Sequence, residues 1–361
     1  MDPIWIKLAG LDQILHLGDR NLGVYAQVGG SLADFGGELA YINRKHRWNW
    51  GASGGQVPYT FGYLTRRDNL ATRETEITEV LDRQTSRGVF MHAAYPFSGA
   101  RRVEVSIGAR SLTFSNDFHT RVYSMDTGQL IDRRSSRIES ADPLYLAETS
   151  VALVHDTSYF GATSPIYGGR YRIEVGQSAG TLQYSSLLVD YRRYFMPKRP
   201  LTIAVRGLHF GRYGRNAEHP QMINLYAGYP ELVHGYGVGS FSPEECGTVN
   251  EADCAVFEHL IGSRMLIANI EVRAPLYGLF KGELNYGRVP LEVAAFFDSG
   301  VAWTTATRPA FLDGERNVVR SVGAAVRFNA FGMLVLELAA SRPFDRVSRG
   351  IKWQAGIRQG F

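Results

Sequence analysis

Apolar and polar residues alternate along most of this chain. In residues 291–303 (LEVAAFFDSGVAW), Phe297 and Trp303 fall on one face with other apolar residues, whereas Glu292 and Asp298 fall on the other. Further segments with the same period of two lie at 103–110, 266–275, 321–331 and 352–361. Successive side chains of a strand point to opposite faces, so this period predicts β-strands with one apolar and one polar face.

The composition of the polar face bears on which face is buried. In a water-soluble sandwich the apolar face is inside and the charges point to water, a reading that stays open for any single strand. Here the polar face mixes Gly, Ala, Asn, Arg and Glu. That mixture is typical of the crowded, hydrated interior of a membrane barrel.

Short and long connections alternate between these segments. The tight links read PFSGA, MPKRP and NAFGM, and the long polar stretches lie at 64–87, 115–146 and 212–263. Outer-membrane barrels have short periplasmic turns and long external loops. We therefore predict an all-β, transmembrane antiparallel β-barrel with about fifteen visible strands, whose three long loops are external.

Composition and charge narrow the alternatives. The 361 residues include 39 Gly, 19 Tyr and 19 Phe, which favours strands over helices. A net charge of +4, carried by scattered Lys and Arg, does not indicate nucleic-acid binding. No apolar run reaches the length of a membrane helix, and neither repeats nor linkers are visible. We expect a single domain, 1–361, without a cofactor.

The cysteines and the first residues concern the cellular compartment. Cys246 and Cys254 lie in the polar segment ECGTVNEADC without the further Cys or His of a zinc site, so a short-loop disulfide is favoured over two free thiols. A disulfide implies an oxidising compartment. Residues 1–13 lack a secretory signal, which predicts either a cytosolic protein or an incomplete piece of a longer one.

The C-terminal half resembles a known family. The segments YAGYPELVHGYGVGSF, ANIEVRAPL, LEVAAFFDSGVAW, SVGAAVRFNAFG and GIRQGF are similar, in order and spacing, to the bacterial surface antigen barrel of the BamA/TamA outer-membrane assembly superfamily. The motifs cover 182–361, and upstream the likeness rests on pattern and strand count.

The resemblance implies a sixteen-stranded barrel of the bacterial outer membrane whose sixth external loop returns into the lumen. The loop tip corresponds to Val233, His234, Gly235 and Tyr236. Its lumenal partners are expected to be Asp298, Glu292, Glu271 and Arg273. Family members often carry a disulfide in this loop, and Phe361 is similar to the C-terminal signal for barrel insertion.

Two departures from the family follow. His234 stands where the family has arginine, and a histidine, mostly neutral near pH 7, predicts a weaker, pH-sensitive lock with Asp298 that acid strengthens. The alternative interpretation is that His234 only fills space in a polar lumen and forms no lock with Asp298. Secondly, the family's first strand, signal peptide and periplasmic modules are not visible, so we expect a truncated reading frame.

Three functions remain. The first is insertion or translocation of unfolded outer-membrane proteins, which needs lipid and an exposed strand edge but no catalytic residue. The second is an anchor or pore for a missing periplasmic domain. The third, a hydrolase, would use Ser53 of GASGG, but an elbow needs a strand-turn-helix, and His155 and Asp156 fall on opposite strand faces. We expect no enzyme and no metal.

Overall fold

The computed structural model describes residues 9–17, 19–28, 35–241, 243–246, 255–332, 334–348 and 350–359. The strands are β1 (Ala9–Leu17), β2 (Arg20–Val28), β3 (Gly36–Asn43), β4 (Asn49–Asn69), β5 (Glu74–Pro96), β6 (Arg101–Ser124), β7 (Leu130–Asp156), β8 (Tyr159–Phe160), β9 (Pro165–Gly180), β10 (Tyr184–Lys198), β11 (Leu201–Tyr213), β12 (Leu225–Tyr226), β13 (Ile261–Gly262), β14 (Arg264–Pro275), β15 (Leu291–Trp303), β16 (Val319–Ala330), β17 (Leu334–Pro343) and β18 (Lys352–Gln359). The helices are α1 (Pro243–Cys246), α2 (Ala255–Glu258) and α3 (Leu276–Lys281), with a 3-10 turn at Ala310–Leu312.

The predicted all-β, antiparallel fold is confirmed. Fifteen strands of the described residues follow one another in a single hydrogen-bonding order, and the short strand β8 pairs with β9 beside it. The strand pairs are antiparallel, as in β14 with β15 and β15 with β16. The helices together cover a few short turns, so nearly all regular structure is strand.

The strands pack into two compact units, and the prediction of a single domain stays a prediction. The first comprises 1–95, 104–150 and 177–183, and the second comprises 96–103, 151–176 and 184–361. In the first unit the order runs from β1 through β7 without a crossover. In the second it runs β9, β10, β11, β14, β15, β16, β17, β18, and the residues between β11 and β14 form the longest connection of that order.

In the first unit, apolar side chains are exposed on one face of the strands and charged ones lie on the other. Val89 of β5 and Ile107 of β6 are exposed. On the opposite face, partly buried Arg110 of β6 pairs with Glu148 of β7 at 2.8 Å and lies over the ring of Phe90 on β5. This arrangement is the reverse of a water-soluble sheet, in which apolar side chains form the buried layer.

Two of the three segments predicted as external loops are instead strand. Residues 64–87 are the distal arms of β4 and β5, which pair continuously from Asn49 to Asn69 around a turn at 70–73. Residues 115–146 likewise belong mostly to β6 and β7, joined at 125–129. Their polar character suggested loops, but alternate residues of a hairpin in water can be polar on both faces while the backbone remains paired.

The third predicted loop does connect two long strands. Residues 214–263 lie between β11 and β14, and their described part contains the short elements β12, β13, α1 and α2. Among the described residues, no helix is long and apolar enough to cross a membrane.

Candidate functional site

The polar face of the second unit is closed over by protein, and the apolar face is open. On β15, Asp298 and Glu292 have 2% and 1% of their surface exposed, whereas Phe297 has 40%. Val272 on β14 and Val326 on β16 are exposed on the same apolar face as Phe297. The carboxylates that interrupt these strands therefore point toward a covered, polar interior.

The long connection between β11 and β14 covers that interior. Val233 and Tyr236 have no exposed surface, and His234 has 5%. The loop forms a hydrophobic cluster with the strands beneath it: Leu208, Tyr226, Ala227, Val233, Tyr236, Phe241, Leu260, Ile267, Ala302 and Val319. A Cβ at Gly300 would lie 2.7 Å from Cγ2 of Val233, so the glycine on β15 makes room for the loop tip.

Asp298 binds the loop tip through both carboxylate oxygens. Oδ2 accepts a hydrogen bond from the backbone N–H of His234 at 3.1 Å and lies 2.6 Å from Nδ1 of the same residue. Oδ1 accepts from Nδ2 of Asn269 at 2.8 Å, and that amide also donates to the carbonyl of Leu232 at 2.7 Å. The aspartate is therefore an acceptor for backbone and side chain of one turn, which fixes the position of that turn.

The surroundings of His234 favour its protonated form. Burial lowers the pKa of the imidazole, but the hydrogen bond to Asp298 and the nearby Glu337 carboxylate outweigh it and raise the pKa from 6.5 to about 9. Nε2 lies 3.6 Å from Oε1 of Glu337, a distance for charge attraction rather than a hydrogen bond. The imidazole ring also stacks on the ring of Phe296, with the two ring centroids 4.1 Å apart. The expectation of a mostly neutral histidine at pH 7 is therefore corrected: two carboxylates hold it charged.

The next two residues attach the tip to other strands. Gly235 has a φ of +87°, a conformation that favours glycine, and its N–H donates to Oε1 of Gln354 on β18 at 3.0 Å. The hydroxyl of Tyr236 donates to the carbonyl of Arg320 on β16 at 2.9 Å, and its pKa is raised by burial. The tip thus contacts β15, β16 and β18 within three residues.

Below the tip, the other predicted partners form a buried charge cluster around Arg327 of β16. Arg327 donates to both oxygens of Glu271, at 2.6 and 2.5 Å, to Glu337 at 2.6 Å and to Glu292 at 3.3 Å. Arg273 donates to Glu271 at 2.9 Å. Three carboxylates around one fully buried guanidinium make Arg327 the centre of the network, and removing one partner of such a group costs about 3–5 kcal/mol.

A second ion pair holds the other side of the loop. Arg346 pairs with Glu245 of α1, and its Nη1 donates to the carbonyl of Gly235 and to Oγ of Ser240, both at 2.8 Å. Cys246, in the same helix, is disulfide-bonded. Cys254, its predicted partner, and Phe361, the predicted insertion signal, lie outside the described residues.

The residues of the hydrolase alternative lie elsewhere. Ser53 is in the middle of β4, paired with β3 and β5, so GASGG does not form a strand-turn-helix elbow. Its Oγ lies 3.1 Å from Nε2 of His92, a cross-strand neighbour. His155 accepts from Nε of Arg101 at 3.4 Å, whereas Asp156 accepts from the backbone of Ser158, so these two side chains have separate partners.

Sequence reasoning missed several members of the site: Asn269, Arg327, Glu337, Arg346, Gln354 and Tyr226. Arg327 and Glu337 carry the same signal as Asp298, a lone charge in an otherwise apolar or small-residue strand. Their contact depends on strand register, in which Arg327 lies opposite both Glu292 and Glu337. Within the described ranges, no three His, Cys, Asp or Glu side chains are placed to hold a metal ion.

Comparison with known proteins finds no matching family model and no matching curated protein. Among solved structures, the chain is similar to BamA from Haemophilus ducreyi lacking POTRA domains 1–3, with a TM-score of 0.46 and 12% identity over 97% of this chain and 75% of that one. It is also similar to CdiB from Acinetobacter baumannii, with a TM-score of 0.49 and 12% identity over 94% of this chain. The chain spans about half of CdiB, at 52%.

Proposed function

We propose that this chain is an outer-membrane β-barrel that inserts or translocates other proteins, with its long external loop docked inside the lumen. The observation that carries the proposal is the inverted polarity of the strands, which is clearest in the second unit. Asp298, Glu292 and Arg327 are buried while Phe297 and Val272 are exposed. Exposed apolar side chains on successive strands suit contact with acyl chains, and buried charges suit an enclosed, hydrated interior.

Protein insertion requires a strand edge rather than a catalytic group. An incoming strand gains backbone hydrogen bonds from an exposed edge, and unpaired backbone groups in lipid cost several kcal/mol each. β18 is a terminal strand of the sheet order and pairs with β17 over eight residues. Gln354 of this strand holds the loop tip, so loop docking and the state of the terminal strand are coupled in the proposal.

Expected clients are unfolded outer-membrane proteins, and the expected surroundings are outer-membrane lipid. The alternative function is an anchor or pore. The same buried polar face supports it, since a loop docked in the lumen would also close a channel. The two functions differ in what happens when the loop tip is removed.

The test compares two four-residue deletions in protein reconstituted into phospholipid vesicles. One removes Val233–Tyr236, and the control removes Leu70–Arg73, the turn between β4 and β5. We expect the tip deletion to lower assembly of an added unfolded barrel protein at least tenfold while the control does not. Assembly that persists while ion conductance rises would favour the pore, and a wild-type chain without assembly activity would refute the insertase proposal.

A further inference from the structure

The outward face of the first unit contains an apolar groove of about 560 Å³. Its floor is Ala52 and Gly54 of β4, two small residues on the same face of the strand. The walls are the residues directly opposite them on the neighbouring strands: Leu39 and Tyr41 on β3, and Val89 and Met91 on β5. The groove is therefore built by strand register, with two small residues between two ridges of large ones.

The size and lining of the groove suit one hydrocarbon chain. At about 30 Å³ for a group the size of a water molecule, the volume holds roughly 18 such groups. Leu39, Val89 and Met91 are exposed, so the groove opens toward the surroundings rather than into the polar interior. Ser53, which also borders it, points to the opposite face with His92.

A strongly basic turn lies at one end of this groove. Residues 43–48 read NRKHRW, with Arg44, Lys45 and Arg47 all exposed and without an acidic residue among them. Lys45 N–H donates to Oδ1 of Asn43 at 2.9 Å, and Arg44 N–H donates to the carbonyl of Asp19 at 2.7 Å. These bonds fix the backbone of the turn and leave its charged groups on the surface.

Aromatic residues lie between the basic turn and the groove. Trp48 packs on Tyr95 with ring centroids 4.9 Å apart, Arg47 lies over the same Tyr95 ring at 4.8 Å, and Trp50 packs on Tyr41 at 5.5 Å. Trp and Tyr are enriched where acyl chains meet headgroups. A strand rises about 3.3 Å per residue, so Ala52 lies about 10 Å along β4 from its first residue, Asn49, which follows the turn.

From this order of cations, aromatic rings and apolar groove we infer a binding site for an anionic glycerophospholipid on the outer face of the first unit. The phosphate lies against the basic turn formed by residues 44–47, and one acyl chain lies over Ala52 and Gly54. The basic turn lies at the opposite end of β4 from the hairpin turn 70–73. Outer-membrane barrels have short periplasmic turns and long external connections, so the long arms that end at 70–73 belong outside the cell. The lipid therefore belongs to the periplasmic leaflet. This inference rests on the proposed membrane insertion.

The test measures phosphatidylglycerol binding to the full chain in non-ionic detergent by native mass spectrometry. Arg44→Gln with Lys45→Gln removes two charges from the turn, and Ala52→Leu fills the groove. We expect each change to weaken binding at least fivefold. The matched controls are Arg133→Gln with Arg134→Gln on the exposed arm of β7, and Ala295→Leu on the exposed face of β15, each expected to stay within twofold.

Two results would overturn the site. Equal binding by all variants would mean that lipid coats the apolar face without a specific position. Binding of glycerol 3-phosphate as tightly as the whole lipid would mean a phosphate site without the groove. A second measurement serves for variants obtained in poor yield. Phosphatidylglycerol with brominated acyl chains should quench the tryptophan fluorescence of the wild type, and this quenching should be lost in Ala52→Leu. Flotation with vesicles separates the lipid site from the proposed membrane insertion. A protein that floats with vesicles but binds no lipid at a defined position refutes the lipid site and leaves the proposed insertion intact.

Discussion

At the scale of single residues, the pair formed by His234 and Asp298 is the centre of the candidate site. Asp298 is almost fully buried and is bonded to the imidazole, to a backbone N–H and to Asn269. An isolated carboxylate at this depth would be costly, and a protonated histidine compensates its charge. The family that this chain resembles has an arginine, which is permanently charged, at the position of His234. This chain has a titratable cation there.

The raised pKa of His234 predicts that loop docking weakens at alkaline pH. Its folded-state pKa of about 9 is higher than the ordinary 6.5, so the stabilisation by protonation is complete below pH 6.5 and is lost as the pH rises through 9. The full shift corresponds to on the order of 3 kcal/mol. We expect proteolysis of residues 214–263 to be similar at pH 5 and 6 and to accelerate at least tenfold between pH 7 and 10.

Two variants make this prediction specific to the pair. His234→Arg should keep the loop protected at pH 10, because arginine remains charged. Asp298→Asn should expose the loop at every pH, because the cation then lacks its main partner. A wild-type loop equally protected at pH 7 and pH 10 would show that titration of His234 does not control docking.

At the scale of elements, the two long hairpins of the first unit exceed what a membrane requires. β4 has 21 residues and β5 has 23, whereas a tilted transmembrane strand needs about 9–11. Their distal halves are polar, as residues 65–78 illustrate. These arms were predicted as loops, since their composition is that of a segment in water, and only the pairing of β4 with β5 distinguishes a hairpin from a loop.

The excess length predicts that the distal arm can be removed. Replacing residues 65–78 by Asn-Gly would join Leu64 to Glu79, which already lie opposite each other in the register. We expect this variant to float with vesicles as the wild type does, because the proximal paired strands remain. In the matched control, Asn-Gly replaces residues 51–92, which removes the proximal strands as well. This control should no longer float with vesicles. Loss of flotation in the distal variant would mean that the arms are part of the inserted structure.

At the scale of the whole molecule, inverted polarity is the property on which the proposed location depends. It recurs in both units, with Val89 and Ile107 exposed in the first and Val272 and Phe297 in the second. In water these side chains would cost hydrophobic free energy, whereas in acyl chains they do not. In the second unit the charged residues on the opposite face, Arg327 with Glu271, Glu292 and Glu337, are satisfied by one another rather than by solvent.

A lysine at the centre of the apolar face should therefore oppose insertion. We expect Phe297→Lys to destabilise the vesicle-inserted state by about 2–4 kcal/mol, the cost of a lysine in mid-membrane. The measurement is urea unfolding of vesicle-inserted protein followed by tryptophan fluorescence. Leu70→Lys, in the exposed turn beyond the predicted membrane, is the matched control and should change stability by less than about 0.5 kcal/mol. Equal effects would contradict an acyl-chain environment for Phe297.

Much of the fold could be predicted because a strand's period of two is a local property of the sequence. Residues 291–300 alternate in exposure as the sequence pattern predicts, and Phe297 and Asp298 face opposite sides, whereas residues 300–303 are buried on both faces. The turn at NAFGM is equally local: Phe331 and Gly332 both adopt positive φ between β16 and β17. The pattern could not show that Arg327, Glu271 and Glu337 meet, because that contact depends on three successive registers among four strands.

The sequence by itself determined that this chain forms antiparallel strands with one apolar and one charged face, since alternation follows from backbone geometry alone. It also singled out Asp298 as an exception in need of a partner. Only the tertiary structure decided that His234, the partner implied by the resemblance, is charged, because it places Glu337 of a distant strand 3.6 Å from the imidazole. The structure also showed that Gln354 of the last strand holds the neighbouring Gly235. The physical reason is that burial and charge neighbours, which set the protonation of a histidine, exist only once residues far apart in the chain are packed together.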